Sequence, residues 1–200
     1  MSTTIYIIRH GQTDLNLKRV LQGRSDMPMN ETGQSQAKEA ARLFQDRGIE
    51  FDMIWSSPLQ RAVRTARIVA GEETPLQTDE RLLEMDYGPY EGADLLSPSP
   101  EITRFFGDFI HEKAPEGMEP LDEVIRRMGE FLEDLKEESP AGNILLSTHA
   151  IAMKGALEYL TPEAKGKYWN THIANCEVYV TQLEAGMFTV PRPLQEKNQK

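Results

Sequence analysis

A run of β-branched and aromatic residues near the start of the chain ends abruptly at an arginine and a histidine. The run Thr4-Ile5-Tyr6-Ile7-Ile8 predicts a buried parallel strand, because helices cover both faces of such a strand and require apolar side chains there. Arg9, His10 and Gly11 follow directly. In open α/β sheets, ligands bind just beyond the carboxyl ends of the strands. A permanent cation beside an imidazole at that position predicts a site for an anion that is to be attacked, although an Arg-His pair taken alone is more often part of a solvated loop.

The same pattern of strand, turn and chemically active side chain occurs twice more. Residues 49–55 predict a second buried strand, and Ser56-Ser57-Pro58 after it predicts a helix with a serine N-cap and proline at the first helical position. Arg61 would then lie in the first turn of that helix. Residues 143–147 predict a third such strand, and His149 stands where it passes into a helix.

The alternation of strands and helices predicts an α/β fold with three layers, α/β/α, around a mostly parallel central sheet. Because the carboxyl ends of parallel strands meet at one edge, we expect Arg9, His10, Arg61 and His149 to lie close together. Two guanidinium groups match the oxygens of a phosphoryl group. The helix N-termini that follow Ser57 and His149 would add oriented N–H groups.

The remainder of the chain is expected to complete one domain over residues 1–200. Residues 93–119 are irregular and rich in proline, and they predict a lid-like insertion folded over one end of the sheet. A short helix is expected around Phe105 inside this insertion. Residues 176–183 predict a further strand that includes Cys176, and the tail after Pro191 is expected to be frayed.

Composition narrows the function classes. The chain has 22 basic and 32 acidic residues and a formal net charge of −10, which argues against nucleic acid or an anionic membrane as a partner. An anion site would therefore need a local cluster of cations. Cys176 is the single cysteine, which excludes an internal disulfide framework and favours a reducing compartment. With no predicted signal peptide or membrane span, we expect a cytoplasmic protein.

The motifs together resemble the histidine phosphatase superfamily, in the branch that contains the cofactor-dependent phosphoglycerate mutases. The resemblance extends in the right order over nearly the whole chain. It rests on Arg9-His10-Gly11-Gln12-Thr13, Asn16, Gln22-Gly23, Pro28, Gly33, Gln36-Ala37, Ser56 to Ala62 with Thr65-Ala66, Leu83-Glu84, Gly88, Glu91-Gly92 and Ser147-Thr148-His149. It implies a phosphoglycerate mutase-like fold.

The resemblance also implies catalytic roles. His10 would be the nucleophile that takes the phosphoryl group, and Arg9, Arg61 and His149 would bind its oxygens. Glu84 would be the proton donor to the leaving oxygen.

The resemblance implies four further pocket residues, three with polar side chains and one glycine. They are Thr13, Asn16, Gln22 and Gly23. Fixed cations can stabilise the charge on a transferring phosphoryl group, so neither a metal nor another cofactor is expected. The histidines also lack the spacing of metal ligands.

Two departures from the mutase pattern favour a phosphatase. Ala150 follows His149 where the mutases usually carry a polar residue, and the interval between Glu84 and His149 is short. The expected substrate is a small phosphorylated metabolite. A phosphoglycerate mutase and a non-catalytic phospho-ligand-binding module remain as alternatives, Asp86 or Glu91 could replace Glu84 as the acid, and a homodimer is compatible with the sequence.

Overall fold

The structure, a computed structural model, describes residues 3–138 and 141–195. The strands are β1 (Thr3–Arg9), β2 (Met53–Ser56), β3 (Leu76–Thr78), β4 (Gly142–Thr148), β5 (Val178–Glu184), β6 (Met187–Phe188) and β7 (Arg192–Pro193). The α-helices are α1 (Asp14–Leu17), α2 (Glu31–Asp46), α3 (Gln60–Ala70), α4 (Pro100–Gly107), α5 (Leu121–Glu138) and α6 (Ala150–Leu160). Short 3₁₀ turns cover Glu80–Leu82, Gly88–Tyr90, Pro162–Ala164 and Lys167–Asn170.

The strands form one mixed sheet with the order β3-β2-β4-β1-β5-β6, and β7 pairs with β5. The four strands from β3 to β1 are parallel, whereas β5 runs antiparallel to β1. Arg9 pairs with Thr148, and Ser56 pairs with Ser147. The residues that follow these three central strands therefore emerge side by side at one edge of the sheet.

Helices cover both faces of the sheet, as the apolar residues of β1 require. Ile5 and Ile7 face a core that they share with α5 and α6, while Tyr6 and Ile8 face a second core with α2 and α3. Both faces of β1 are thus buried, as expected for a central strand. The predicted three-layer α/β fold with a mostly parallel sheet is confirmed.

Residues 93–119 pack against the core on the α5 and α6 side of the sheet. The short helix predicted around Phe105 is α4, and the Ser99 hydroxyl caps it. Phe105 and Phe109 are buried in the core, and Phe105 makes an edge-to-face contact with Phe109. No described helix is both long and apolar enough to cross a bilayer.

Several predicted boundaries were wrong, and tertiary contacts explain the shifts. β2 begins at Met53 instead of at residue 49, because the Ile49 N–H donates to the Phe44 carbonyl and thereby closes the end of α2. Cys176 precedes β5 and has a left-handed backbone with φ of 58°, so it does not belong to a strand. The loop after β1 contains the one-turn helix α1.

The tail expected to be frayed begins with β7, whose partner is β5. Residues 196–200 lie outside the described part of the chain.

Candidate active site

The carboxyl edge of the sheet brings together three polar side chains from β1, β2 and β4. His10, Ser57 and His149 are the residues immediately after these strands, and all three are buried. The rings of His10 and His149 lie with their centroids 5.1 Å apart. The predicted meeting of the two histidines at one sheet edge is therefore observed.

One nitrogen of the His10 ring is hydrogen-bonded to the backbone. Its Nδ1 lies 2.7 Å from the Gly11 carbonyl oxygen, which can only accept, so Nδ1 carries the proton and Nε2 has the free lone pair. Burial lowers the pKa of His10 well below its usual value, and the positive charges of Arg61 and Arg9 lower it further. The ring is thus a neutral nucleophile held in one tautomer.

His149 lies between a hydroxyl and a guanidinium. Arg61 donates from Nε to Nδ1 of His149 at 3.2 Å, and the Nε2 of His149 lies 2.7 Å from the Ser57 hydroxyl. Since Nδ1 accepts, the proton of the neutral ring is on Nε2. Burial, followed by the charges of Arg61 and His10, lowers the pKa of His149 well below its usual value.

The Arg61 guanidinium is fully buried and is oriented by backbone carbonyls. Nη1 donates to the Ser25 carbonyl and Nη2 to the Gly23 carbonyl, both at 2.7 Å. The Glu91 carboxylate accepts from the backbone N–H groups of Gly23 and Ser25 and so holds this loop in place. Three of the five donors of Arg61 are used in these contacts, including the bond to His149, which leaves two for a ligand.

Two buried donors of the site have no hydrogen-bond partner among the described residues. They are Nε of Arg9 and Nε2 of Gln22. Arg9 is anchored through Nη1, which donates to the Ile173 carbonyl at 2.6 Å, while Gln22 accepts from the Thr13 hydroxyl at 2.6 Å. An unsatisfied buried donor costs about 1–3 kcal/mol, so these two groups are suited to the oxygens of a ligand.

Asn16, another residue expected in the pocket, lies in the first helical turn after the site. Its side chain accepts from the Thr13 N–H and closes a capping box at the start of α1. Asn175, which the sequence analysis missed, donates to Asn16 at 3.4 Å and to the His10 carbonyl at 2.9 Å. No local pattern indicates Asn175, because its two partners lie about 160 residues earlier in the chain.

Glu84 is buried against the first turn of α6. Its Oε1 accepts from the backbone N–H groups of Met85, Ile151 and Ala152 at 2.9–3.1 Å. Its Oε2 accepts one longer bond, from Ile151 at 3.2 Å. The two oxygens therefore differ, and Oε2 retains capacity for a further proton or hydrogen bond.

The two alternative acids have other partners. Asp86 is partly exposed, and its carboxylate accepts from the Gly88 N–H in a turn. Glu91 is committed to the loop that holds Arg61, as described above. Of the three acids, only Glu84 is buried beside the helix that follows His149, which favours Glu84 as the acid of the site.

Protein side chains occupy part of the two helix N-termini that were predicted to face the ligand. The N–H groups of Ile151 and Ala152 in the first turn of α6 bind Glu84, and the Gln60 N–H at the start of α3 donates to Asp26 at 2.8 Å. Ser57 is not the N-cap either, since α3 begins two residues after Pro58 and its N-cap, Leu59, makes no side-chain cap. The Ser57 hydroxyl is placed on His149 instead, which only the tertiary structure reveals.

A buried ion pair supports the segment that carries Glu84. Arg127 of α5 donates to Glu119 from Nε at 2.6 Å and from Nη2 at 3.1 Å. Its Nη1 donates to the carbonyls of Arg81 and Leu83 at 2.6 and 2.7 Å. The Arg127 side chain is buried and fixes the backbone just before Glu84.

Comparison with known proteins identifies the family of the chain. The family model of the histidine phosphatase superfamily, branch 1, matches residues 5–193. The chain is 34% identical over 156 residues to a protein of Bacillus subtilis named uncharacterized phosphatase PhoE, covering 78% of this chain and 76% of that one. It is 30% identical over 178 residues to a 2,3-bisphosphoglycerate-dependent phosphoglycerate mutase of a Methylobacterium species, with 82% and 84% covered.

A solved structure extends the comparison to three dimensions. The chain is similar to a mutant phosphoserine phosphatase from Entamoeba histolytica that was crystallised in complex with phosphoserine. The TM-score is 0.80 at 25% identity, and the match covers 96% of this chain and 95% of that one.

Proposed function

Because the chain belongs to branch 1 of the histidine phosphatase superfamily, whose members are phosphatases and mutases, we propose that it is a metal-independent phosphatase. It would hydrolyse phosphate monoesters of small metabolites through a phosphohistidine intermediate. The single observation that carries this proposal is the neutral His10 ring, with its free Nε2 beside Arg9, Arg61 and His149.

The first step is the transfer of the phosphoryl group to His10. The Nε2 lone pair forms the N–P bond while the P–O ester bond breaks. The donors left over on Arg61, together with Arg9 Nε and Gln22 Nε2, would bind the equatorial oxygens, where charge is spread in the transition state. Backbone carbonyls hold Arg9 and Arg61, and the Thr13 hydroxyl holds Gln22, before the substrate binds, so little reorganisation is required.

Glu84 would protonate the leaving oxygen. The proton would be carried by Oε2, because Oε1 already accepts three backbone N–H bonds. An alkoxide is a poor leaving group, and a positioned acid contributes typically 10²–10⁴-fold to such a step. In the second step, water attacks phosphorus, the N–P bond breaks, and the Glu84 carboxylate takes the proton of the water.

The test compares leaving groups. Glu84→Gln should lower kcat on an alkyl phosphate by about 10²–10⁴-fold and on p-nitrophenyl phosphate far less, because p-nitrophenolate leaves without a proton. Asp86→Asn is the matched control from the same loop and should affect both substrates equally and weakly. Turnover in EDTA checks the metal independence. Equal losses of kcat on both substrates in Glu84→Gln would show that another residue is the proton donor.

The mutase is the second candidate, because one relative carries that name. A mutase must grip the second anionic group of a bisphosphate and exclude water from the phosphoenzyme. The lid-like segment 93–119 has two basic residues, Arg104 and Lys113, against six acidic ones, so it is poorly suited to hold a second phosphate. With 3-phosphoglycerate and a 2,3-bisphosphoglycerate primer, we expect slow phosphate release and little 2-phosphoglycerate in a coupled enolase assay. Rapid isomerisation without phosphate release would instead support the mutase as the function.

A non-catalytic phospho-ligand-binding module is the least supported function. Both His10 and Glu84, which such a module would not need, are present and buried in the site.

A further inference from the structure

Asn175 connects the turn before β5 to the loop that carries the nucleophile. Its Nδ2 donates to the His10 carbonyl at 2.9 Å and to Oδ1 of Asn16 at 3.4 Å. The steps of the proposed reaction give Asn175 no role. One amide nitrogen nevertheless contacts both the backbone of the histidine that would be phosphorylated and a side chain expected in its pocket.

The turn that carries Asn175 is fixed to the end of β1. The Cys176 N–H donates to the Arg9 carbonyl at 3.0 Å, and the Arg9 N–H donates to the Glu177 carbonyl at 3.2 Å. The Glu177 carboxylate accepts from the Ala174 N–H at 2.7 Å and closes the turn. Cys176 has the left-handed backbone that is strained for a residue with a Cβ. The turn is therefore held in one conformation, which places the Asn175 side chain against His10.

The two asparagine amides have only one orientation that satisfies their neighbours. The Thr13 N–H can only donate, so the Asn16 atom that lies 3.2 Å from it is the oxygen Oδ1. The His10 carbonyl can only accept, so the Asn175 atom that faces it is the nitrogen Nδ2. Rotating either amide by 180° would bring two donors or two acceptors together.

This orientation leaves Nδ2 of Asn16 for a ligand. Within residues 3–138 and 141–195, that nitrogen donates to no protein group, whereas Oδ1 accepts twice. The neighbouring Thr13 binds Gln22, whose own Nε2 is one of the unsatisfied donors of the site. An amide nitrogen attracts the oxygens of a phosphoryl group, whereas a rotated amide would present its oxygen and repel them.

We propose that Asn175 is a positioning residue of the active site. It is anchored by the His10 carbonyl and orients the amide of Asn16, so that Nδ2 of Asn16 donates to the phosphoryl group. This inference rests on the proposed function, because it concerns the phosphoryl-binding side of the same site. Asn175 acts on turnover through Asn16 alone.

A purely structural role is the competing explanation. Asn175 could serve only to attach the turn before β5 to β1, and its loss would then weaken turnover whether or not the Asn16 amide is present. If Asn175 acts through Asn16, its loss should matter little once that amide has been removed. A double-mutant cycle on kcat/KM separates the two explanations.

The cycle combines Asn16→Ala with Asn175→Leu, which keeps the volume of the side chain and removes the donor. In the wild-type background, Asn175→Leu should lower kcat/KM on p-nitrophenyl phosphate by about tenfold, the effect of losing a hydrogen bond to a charged group. In the Asn16→Ala background, it should lower kcat/KM by no more than about twofold. Asn175→Asp, which also lacks the donor, replaces Asn175→Leu in the cycle if the latter does not fold.

Asn143 provides a matched control. Its amide also donates to a backbone carbonyl, that of Glu50 at 2.8 Å, but it lies at the amino-terminal end of β4, away from the site. Asn143→Leu should therefore leave kcat/KM unchanged in both backgrounds.

Nuclear magnetic resonance provides a readout that does not need turnover. On addition of inorganic phosphate, the side-chain amide protons of Asn16 should shift in the wild-type protein, because they bind the anion. The shift should be lost in Asn175→Leu at the same phosphate occupancy.

Equal costs of Asn175→Leu in both backgrounds would overturn the proposal while leaving the phosphatase intact. An Asn16 amide that does not respond to phosphate in the wild-type protein, or that responds equally in Asn175→Leu, would also overturn it. If the wild-type protein hydrolyses no phosphate ester, the proposed function fails separately, and the resonance measurement alone decides the role of Asn175.

Discussion

Replacing Arg127 with methionine should destabilise the protein far more than a typical surface substitution. Methionine keeps most of the volume of the side chain but removes the guanidinium. The change leaves the Glu119 carboxylate with only the half-exposed Arg24, at 3.9 Å, as a cation, and it leaves the carbonyls of Arg81 and Leu83 without their donor. Breaking one side of a buried ion pair costs about 3–5 kcal/mol, and the remaining contact to Arg24 places the expected loss at the lower end of that range.

Urea unfolding followed by circular dichroism measures this cost. Arg126→Met is the matched control, since Arg126 is the next residue and is exposed on α5, where it pairs with Glu123 and Glu130. Each exposed helical pair contributes about 0.3–0.5 kcal/mol, so this control, which loses two pairs, should lose no more than about 1 kcal/mol. The double variant Arg127→Met/Glu119→Gln should recover part of the loss, because no buried charge is left unpaired.

Activity gives a second measurement of the same contact. If Arg127 positions the segment before Glu84, Arg127→Met should lower kcat on an alkyl phosphate more than on p-nitrophenyl phosphate, which needs no acid. A cost within 1 kcal/mol of the Arg126→Met control, or equal losses on both substrates, would refute this reasoning.

Two further predictions concern the core of the site. His10 and His149 are buried with lowered pKa values, so the unfolded chain binds more protons than the folded chain below about pH 6.5. The free energy of unfolding should therefore be highest above that pH. It should fall by up to about 2 kcal/mol per histidine between pH 7 and pH 5. Unfolding midpoints measured across that range should fall less in a His10→Asn/His149→Asn variant, and a flat wild-type profile would contradict the pKa shifts. Gly11→Ala should lose about 1–3 kcal/mol and most activity, because the added Cβ would overlap the Gly33 carbonyl, whereas Gly107→Ala meets nothing and should be neutral in a thermal melt.

Sequence reasoning identified the residues at strand ends because those signals are local. Apolar runs mark buried strands, and the register of β1 with β4 then places His10 beside His149 without further information. Arg61 was found for the same reason, since it lies in the first turn of the helix after β2. The fold class follows from the alternation of strands and helices.

The parts that could not be predicted depend on contacts between distant residues. The carboxylate of Glu84 binds two N–H groups in the first turn of α6, about 67 residues later, so these two groups are not left for a phosphate. The Ser57 hydroxyl binds His149, 92 residues away, although its local pattern is that of a helix cap. The burial of Arg127 depends on Glu119 and on two backbone carbonyls of another segment, which the arginine itself does not indicate.

The phosphoenzyme itself tests the central claim most directly. Stopping turnover with alkali should preserve an acid-labile phosphoryl adduct, and peptide mass spectrometry should locate it on His10. Phosphorus NMR should identify the Nε2 isomer, because Nδ1 of His10 donates to the Gly11 carbonyl. His10→Ala should form no adduct and should be inactive. An adduct on His149, an Nδ1 isomer, or full activity in His10→Ala would contradict the account.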